Sequence, residues 1–306
     1  MKKICILLVL VLCSCLEGLS QATSLTVDCQ TPGWLSSKID YSDQQTLENL
    51  TIKGFINGAD IQFIRELNLN RNLSGVINLE EANIVLGGDS YGPINSYYIK
   101  TKDNTLPNYM FAQLNNIRKV ILPKSLTSFD GNRQFTGTCV DTLIINGSME
   151  NLDMAGAYDN KLWNIRCIYF PEGLKNIDFG ILLACEEIYF PSTLSWVKGT
   201  FSDHYVVIHL SSLRPDTITA GNSINKYYNP FTNGIIYVPK GTKSLYESSI
   251  FSKLEIKEVI PVEGVSLDKS KTLYIGDVIK IDAMINPANA LILVNMVSLI
   301  MQIRCR

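Results

Sequence analysis

The sequence runs to 306 residues, with 27 basic against 29 acidic side chains, a formal net charge of −2, and only 18% charged residues. Such a balance excludes a nucleic-acid binder that works by releasing counterions from phosphates. A hydrophobic content of 46% excludes wholesale disorder, and two histidines leave little material for a histidine-rich metal site or proton relay.

In chain order the first signal is a leader. Lys2 and Lys3 form a positive start, Ile4 to Leu12 an apolar stretch, and Leu12-Cys13-Ser14-Cys15 follows at once. The apolar stretch is too short for a membrane span of about 20 residues, so residues 1–22 read as a signal peptide. Leu12-Cys13-Ser14-Cys15 resembles the lipobox of bacterial lipoproteins, which would make Cys15 the acylated residue. The alternative is ordinary cleavage after Ala22 and a freely secreted chain. Beyond the leader stand Cys29, Cys139, Cys167, Cys185 and Cys305, an odd number. Cys139 and Cys185 precede apolar runs and read as small buried residues, while a Cys167–Cys185 bridge stays open.

Residues 23–66 read as a small helical cap. Thr31-Pro32-Gly33-Trp34-Leu35 and Asp60-Ile61-Gln62-Phe63-Ile64 are its short helices, the second with an acidic start and helical apolar spacing. Glu66-Leu67-Asn68-Leu69-Asn70 and Val76-Ile77-Asn78-Leu79 look like two strands.

A repeat then becomes visible. Val120-Ile121-Leu122-Pro123, Leu143-Ile144-Ile145-Asn146, Ile168-Tyr169-Phe170-Pro171, Ile188-Tyr189-Phe190-Pro191 and Ile236-Tyr237-Val238-Pro239 read alike, and Ile208-His209-Leu210-Ser211 is a worn copy. Their middle residues are 23, 25, 20, 20 and 28 apart, within or close to the spacing of leucine-rich repeats. A second apolar pair follows each copy, as in Leu126 and Phe129 or Leu174 and Ile177. Each unit is a short strand closed by a proline, which cannot donate to a further ladder bond, then a turn and the second pair. One unit cannot bury its apolar face alone, whereas stacked copies share a core.

The expected fold over residues 67–260 is therefore a leucine-rich repeat solenoid, its short β-strands stacked into one sheet and joined by irregular turns. Stacked in register, Ile121, Ile144, Tyr169, Tyr189, His209 and Tyr237 form a row on the outer face of that sheet, about 4.8 Å apart. The row is a candidate binding face built from rigid aromatic anchors. Its competitor is a stack that only stabilises the sheet, or one that a loop covers. As a binding face, the row would tolerate serine at Tyr169, Tyr189 and Tyr237 with little loss of melting temperature while losing its partner.

Residues 30 to 260 resemble the BspA-type leucine-rich repeat proteins of Bacteroides-like bacteria. The likeness rests on the repeats, on Ala59-Asp60-Ile61-Gln62-Phe63-Ile64-Arg65-Glu66, and on Leu106-Pro107-Asn108-Tyr109-Met110-Phe111. It implies a surface or secreted adhesin-like protein, with host matrix proteins such as fibronectin and fibrinogen as partners, and it brings no catalytic residues.

From Pro261 the character changes. Residues 261–290, with Val262 to Asp268, Leu273 to Asp277 and Ile281 to Ala290, resemble the first three strands of a bacterial group 2 Ig-like domain. Residues 291–306 are apolar but carry Asn295, Ser298 and Gln302, and they supply no core tryptophan for a sandwich of roughly 80 to 100 residues. A shifted or truncated reading frame accounts for such a tail, and a hydrophobic docking tail is the rival.

Signals for chemistry are sparse. His204 and His209 lie five apart in a strand-like stretch, so they fall on opposite faces and cannot share a metal. Glu186-Glu187 and Glu80-Glu81 read as solvated charge, and no phosphate loop or nucleophile elbow occurs. Asn49-Leu50-Thr51, Asn72-Leu73-Ser74 and Asn146-Gly147-Ser148 match glycosylation sequons. The functional expectation is a non-enzymatic protein without cofactor, extracellular or on the outer-membrane surface, that binds a host matrix or surface protein. It touches no nucleic acid and meets the membrane only through a lipid anchor. A glycan-binding accessory protein is the alternative, and an enzyme on a β-solenoid the third class.

Overall fold

The computed structural model describes residues 23–70, 72–91, 99–131, 133–154, 165–182, 184–201, 205–221, 231–259, 264–267 and 283–286. The expectations for the leader and its Cys15, for His204, for Cys305, for the strand at Leu273 to Asp277 and for the tail 291–306 lie outside the described residues.

The chain begins with β1 (Thr23–Cys29), a 3-10 turn at Leu35–Lys38, α1 (Tyr41–Thr46), β2 (Leu47–Ile56) and α2 (Gly58–Asn70). Short strands follow: β3 (Val76–Asn78), β4 (Ala82–Ile84), β5 (Gly87–Tyr91), β6 (Ile99–Thr101), β7 (Thr105–Leu106), β8 (Lys119–Ile121), β9 (Ser128–Phe129), β10 (Thr142–Ile144) and β11 (Asn151–Asp153). Next come β12 (Cys167–Tyr169), β13 (Asn176–Leu182), β14 (Glu187–Phe190), β15 (Trp196–Phe201), β16 (Val206–Leu210), β17 (Thr219–Ala220) and β18 (Gly234–Pro239). The series closes with α3 (Lys243–Glu247), β19 (Glu255–Val259), β20 (Gly264–Leu267) and β21 (Ala283–Asn286).

The principal sheet is parallel throughout, in the order β1-β2-β3-β8-β10-β12-β14-β16-β18-β19, with β4 also on β2. Each turn of chain from β8 onward adds one strand beside the last, the arrangement of a solenoid. The short rungs form strand because Val, Ile and Tyr suit a pleat, and a proline follows the rung at Pro123, Pro171 and Pro191. On the inward face Leu25, Leu50, Ile77, Val120, Leu143, Ile168, Ile188, Ile208, Ile236 and Ile256 pair in one unbroken register. All but Leu25 are buried, and Phe170 stacks on Phe190 with ring centres 5.6 Å apart.

Four expectations need correction. The repeats do not build a single sheet: β11, β13, β15 and β17 form a second parallel sheet, β7 pairs in parallel with β9, and β5 with β6 antiparallel. The inward Leu152, Ile177 and Val197 of that second sheet are the second member of each apolar pair. The cap is not purely helical either, since β1 and β2 start the principal sheet. Glu66–Asn70 is the end of α2 and not a strand, because Ile61, Ile64, Leu67 and Asn68 fall on one helical face and are buried. Cys139 is exposed where burial was expected, while Cys29 and Cys185 are buried; no disulfide joins the described cysteines. One further rung, β19, extends the array beyond the sequence repeats.

Two buried charges hold the start of the array. The Asp60 carboxylate, in the first turn of α2, accepts from the backbone amides of Gly33, Leu35 and Asn57 at 2.6, 2.9 and 2.9 Å. Arg65, one turn on, donates to the carbonyls of Tyr109, Met110 and Ala112 at 2.9, 3.2 and 2.9 Å. It thereby ties the helix to the turn that precedes β8. At the far end, β20 and β21 form an antiparallel pair with Val265 opposite Ile285.

Candidate functional site

Period two puts the middle residue of every rung on the face opposite the core. Ile121, Ile144, Tyr169, Tyr189, His209 and Tyr237 are direct neighbours across the ladders, continued by Asn78 on one side and Lys257 on the other. The rings stack along that line. Tyr169 to Tyr189 and Tyr189 to His209 are each 4.1 Å between centres, and His209 to Tyr237 is 5.2 Å, with planes within 13° of parallel. Stacking hides the ring faces against one another and leaves edges outward. Ile121, Ile144 and His209 are consequently buried, and the tyrosines half-buried.

The rings also carry stability. Each stacked pair is worth about 0.5–1.5 kcal/mol beyond its buried area, so serine at the three tyrosines is expected to lower the melting temperature as well as weaken binding.

The polar organiser of the row is Glu187, two residues before Tyr189 and so on the same face. Its Oε1 accepts from the Tyr189 hydroxyl and faces His209 Nε2, both at 2.8 Å, and Cys167 Sγ lies 3.9 Å from Oε2. The side chain is 38% exposed. This corrects the reading of Glu186-Glu187 as plain solvated charge. Glu187 and His209 are 22 residues apart and meet only because β14 lies beside β16. Glu186 does behave as surface charge, paired with Arg166 at 2.7 Å, and Glu80 and Glu81 pair with Lys124 and Lys53.

A carboxylate only accepts, so His209 Nε2 carries the hydrogen. Burial is the largest influence on the ring and pulls its pKa below the ordinary value, outweighing Glu187, which raises it. The neutral ring leaves Nδ1 as an acceptor, and that atom is buried without a partner among the described residues. Burial pushes Tyr169 up to about 12 and the Cys167 thiol up to about 11, so neither ionises near neutrality. Cys167 is thus a poor nucleophile.

Beside the row the outer face dips into a concavity of about 430 Å³ whose lining includes Thr142, Ile144, Asn146, Tyr169, His209 and Ser211. A second, of about 470 Å³, lies around Asp141, Arg166, Cys167 and Glu187. Two of the three sequon asparagines are used by the ladder itself. Asn49 accepts from the Val76 amide, and Asn146 donates to the Leu122 carbonyl.

Among the described residues no group of three His, Cys, Asp or Glu side chains could hold a metal ion, and no helix is long and apolar enough to cross a membrane. No protein-family model matches the sequence, and no curated protein matches it.

Proposed function

We propose that the chain is a non-enzymatic leucine-rich repeat protein whose outer sheet face binds a protein partner, in the manner of the BspA-type adhesins that its repeats resemble. The observation that carries this reading is the unbroken register of Ile121, Ile144, Tyr169, Tyr189, His209 and Tyr237 beside a concavity of about 430 Å³. A row of rings already packed against its neighbours loses little conformational entropy on binding, which suits anchor residues. Cys15 is the lipid anchor in this reading, and the site of action is the bacterial surface. Residues 261–290 are the opening of an Ig-like spacer, supported by the antiparallel pairing of β20 with β21.

The glycan-binding reading draws less support. Sugars stack on open ring faces, whereas these faces are turned onto one another. The test is direct binding of the full chain to immobilised fibronectin, fibrinogen and a polysaccharide panel. Saturable binding to a matrix protein supports the proposal, and binding to polysaccharide alone replaces it.

A further inference from the structure

The two outermost strands of the principal sheet differ in how they meet other molecules. Sheets resist the addition of a foreign strand by carrying charge, above all lysine, on their edges. β19 does so, with Glu255, Lys257 and Glu258 among its five residues. β1 does not. Its seven residues, Thr23-Ser24-Leu25-Thr26-Val27-Asp28-Cys29, hold one charge and no proline, and among the described residues their ladder runs to β2 alone. A strand paired on one side leaves every second residue's N–H and C=O turned to the open edge. The core is also incomplete there, since Leu25 is the inward ladder residue that stays only half-buried.

The order of residues in β1 decides what can complete it. Thr26 is the midpoint, and a second β1 laid antiparallel about a two-fold axis through Thr26 opposes all seven residues. Leu25 then meets the copy's Val27, apolar against apolar on the inward face. Ser24 meets Asp28. The Ser24 oxygen accepts from Asn49 Nδ2 at 3.1 Å, which leaves the hydroxyl hydrogen to donate. Asp28 accepts from Gln30 Nε2 through Oδ1 at 2.7 Å and has a second oxygen for that donor. The two Asp28 carboxylates stand at opposite ends of the paired stretch, about 13 Å apart along the strands.

Other pairings of the two ends fit worse. Two copies of β19 paired about its midpoint would set Lys257 against Lys257. β1 laid on β19 in the ladder's own register puts Leu25 beside Ile256 and Val27 beside Glu258, a carboxylate on the inward face. Glu258 Oε1 already accepts from the amides of Gly241 and Lys243, so it has no reason to turn away.

We propose that β1 is a dimerisation edge, at which a second copy of this chain adds its own β1 antiparallel about Thr26 and makes one sheet of two solenoids. Seven opposed pairs give about six to eight backbone hydrogen bonds. One strand from each copy is a small contact, so the dimer forms with rising concentration. Thr26 stands in the outward row that continues through Thr51 and Asn78 to Ile121. The dimer therefore presents the aromatic rows of both copies on one face, and binds a repetitive partner with the avidity of two sites. The pairing itself does not depend on that face binding anything.

The experiment uses the full chain with Cys139→Ser, which removes the exposed native thiol. Sedimentation of this parent should pass from one copy to two as concentration rises. Thr26 is exposed, so changing it spares the fold of the single copy. Thr26→Asp crowds the axis with carboxylates and should weaken the dimer at least about tenfold, with the melting temperature of the dilute chain unchanged. Thr26→Cys opposes two thiols at the axis, and diamide, by taking up their two hydrogens, joins them as a disulfide between copies. Ser24→Cys, which faces Asp28 of the copy, and Lys257→Cys, on the other end of the sheet, should cross-link at least about tenfold more slowly.

A parent that sediments as one copy at every concentration would overturn the proposal. So would a Thr26→Asp dimer as tight as the parent's, or cross-linking as fast at Ser24→Cys or Lys257→Cys as at Thr26→Cys. Failure here with matrix-protein binding intact overturns the dimer alone, and a dimer that binds no matrix protein overturns only the wider reading.

Discussion

Replacing Tyr189 by serine separates what the row contributes to folding from what it contributes to recognition. The change removes two stacked contacts, to Tyr169 and to His209, each at 4.1 Å, and the hydroxyl that donates to Glu187 at 2.8 Å. Each stacked pair is worth about 0.5–1.5 kcal/mol beyond its buried area, so the two contribute about 1–3 kcal/mol. The hydrogen bond ends on a carboxylate that is 38% exposed, where water replaces the lost donor, so it adds at most about 1 kcal/mol. Tyr189→Ser should therefore cost about 1–4 kcal/mol, and Tyr189→Phe, which keeps both stacks, at most about 1 kcal/mol.

Urea unfolding followed by circular dichroism measures both variants. Pairing them with Tyr169→Ser gives a double-mutant cycle, whose coupling should be about 0.5–1.5 kcal/mol. The reasoning fails if Tyr189→Ser stays within about 0.5 kcal/mol of the parent, or if serine and phenylalanine cost the same.

Asp60→Ala strands the amides of Gly33, Leu35 and Asn57, and at about 1–3 kcal/mol each it should cost at least about 3 kcal/mol in a denaturant titration. Asp60→Asn keeps one oxygen acceptor and should fall between alanine and parent; a loss under about 1 kcal/mol for alanine would contradict the capping role. His209 has a folded-state pKa below its ordinary 6.5, so below pH 6.5 the unfolded chain binds the extra proton. Stability should accordingly fall as pH drops beneath 6.5 and be indifferent to this group above it, with a slope of at most about 1.4 kcal/mol per pH unit. His209→Phe should remove that slope, and an unchanged slope would refute the assignment. Gly234 has φ +141° and a Cβ there would lie 2.0 Å from the Val206 carbonyl oxygen, whereas Gly173, at φ +92°, has nothing within 4 Å. Gly234→Ala should speed amide exchange across the β16–β18 ladder and Gly173→Ala should not; similar exchange in both would refute the close approach.

The rungs were legible because apolar and outward residues alternate, with a proline after the triplet in four of the six copies, at Pro123, Pro171, Pro191 and Pro239. That pattern was enough to place Ile121 through Tyr237 in one row, since register follows from period two. The second sheet is not legible in sequence because Asn151–Asp153 has one apolar residue and Asn176–Leu182 mixes its apolar residues with Asn, Asp and Gly, too little alternation to separate strand from turn. β1 alternates only at its end, where Val27 and Cys29 point inward, too short a run to mark a strand by itself. At the end of α2, Leu67 and Leu69 alternate as a strand would. Ile61, Ile64 and Leu67 form the stronger helical stripe, and tertiary burial selects it.

Glu187 could not have been singled out from sequence. Its partners Tyr189 and His209 are 2 and 22 residues away, and only the β14–β16 pairing brings the histidine to the carboxylate. The preserved signal was the outward position two residues before each middle residue, where Glu187 stands beside Cys167 and Val207.

Filling the concavity without touching the stack tests the central claim most directly. Thr142→Arg with Ser211→Arg puts two long side chains into its wall, and Ser195→Arg, next to the second sheet, serves as the control. Binding of the full chain to immobilised fibronectin and fibrinogen is measured alongside thermal unfolding. The account predicts that the double variant loses binding at an unchanged melting temperature and the control keeps it. Undiminished binding with the concavity filled, or equal loss in the control, would contradict it.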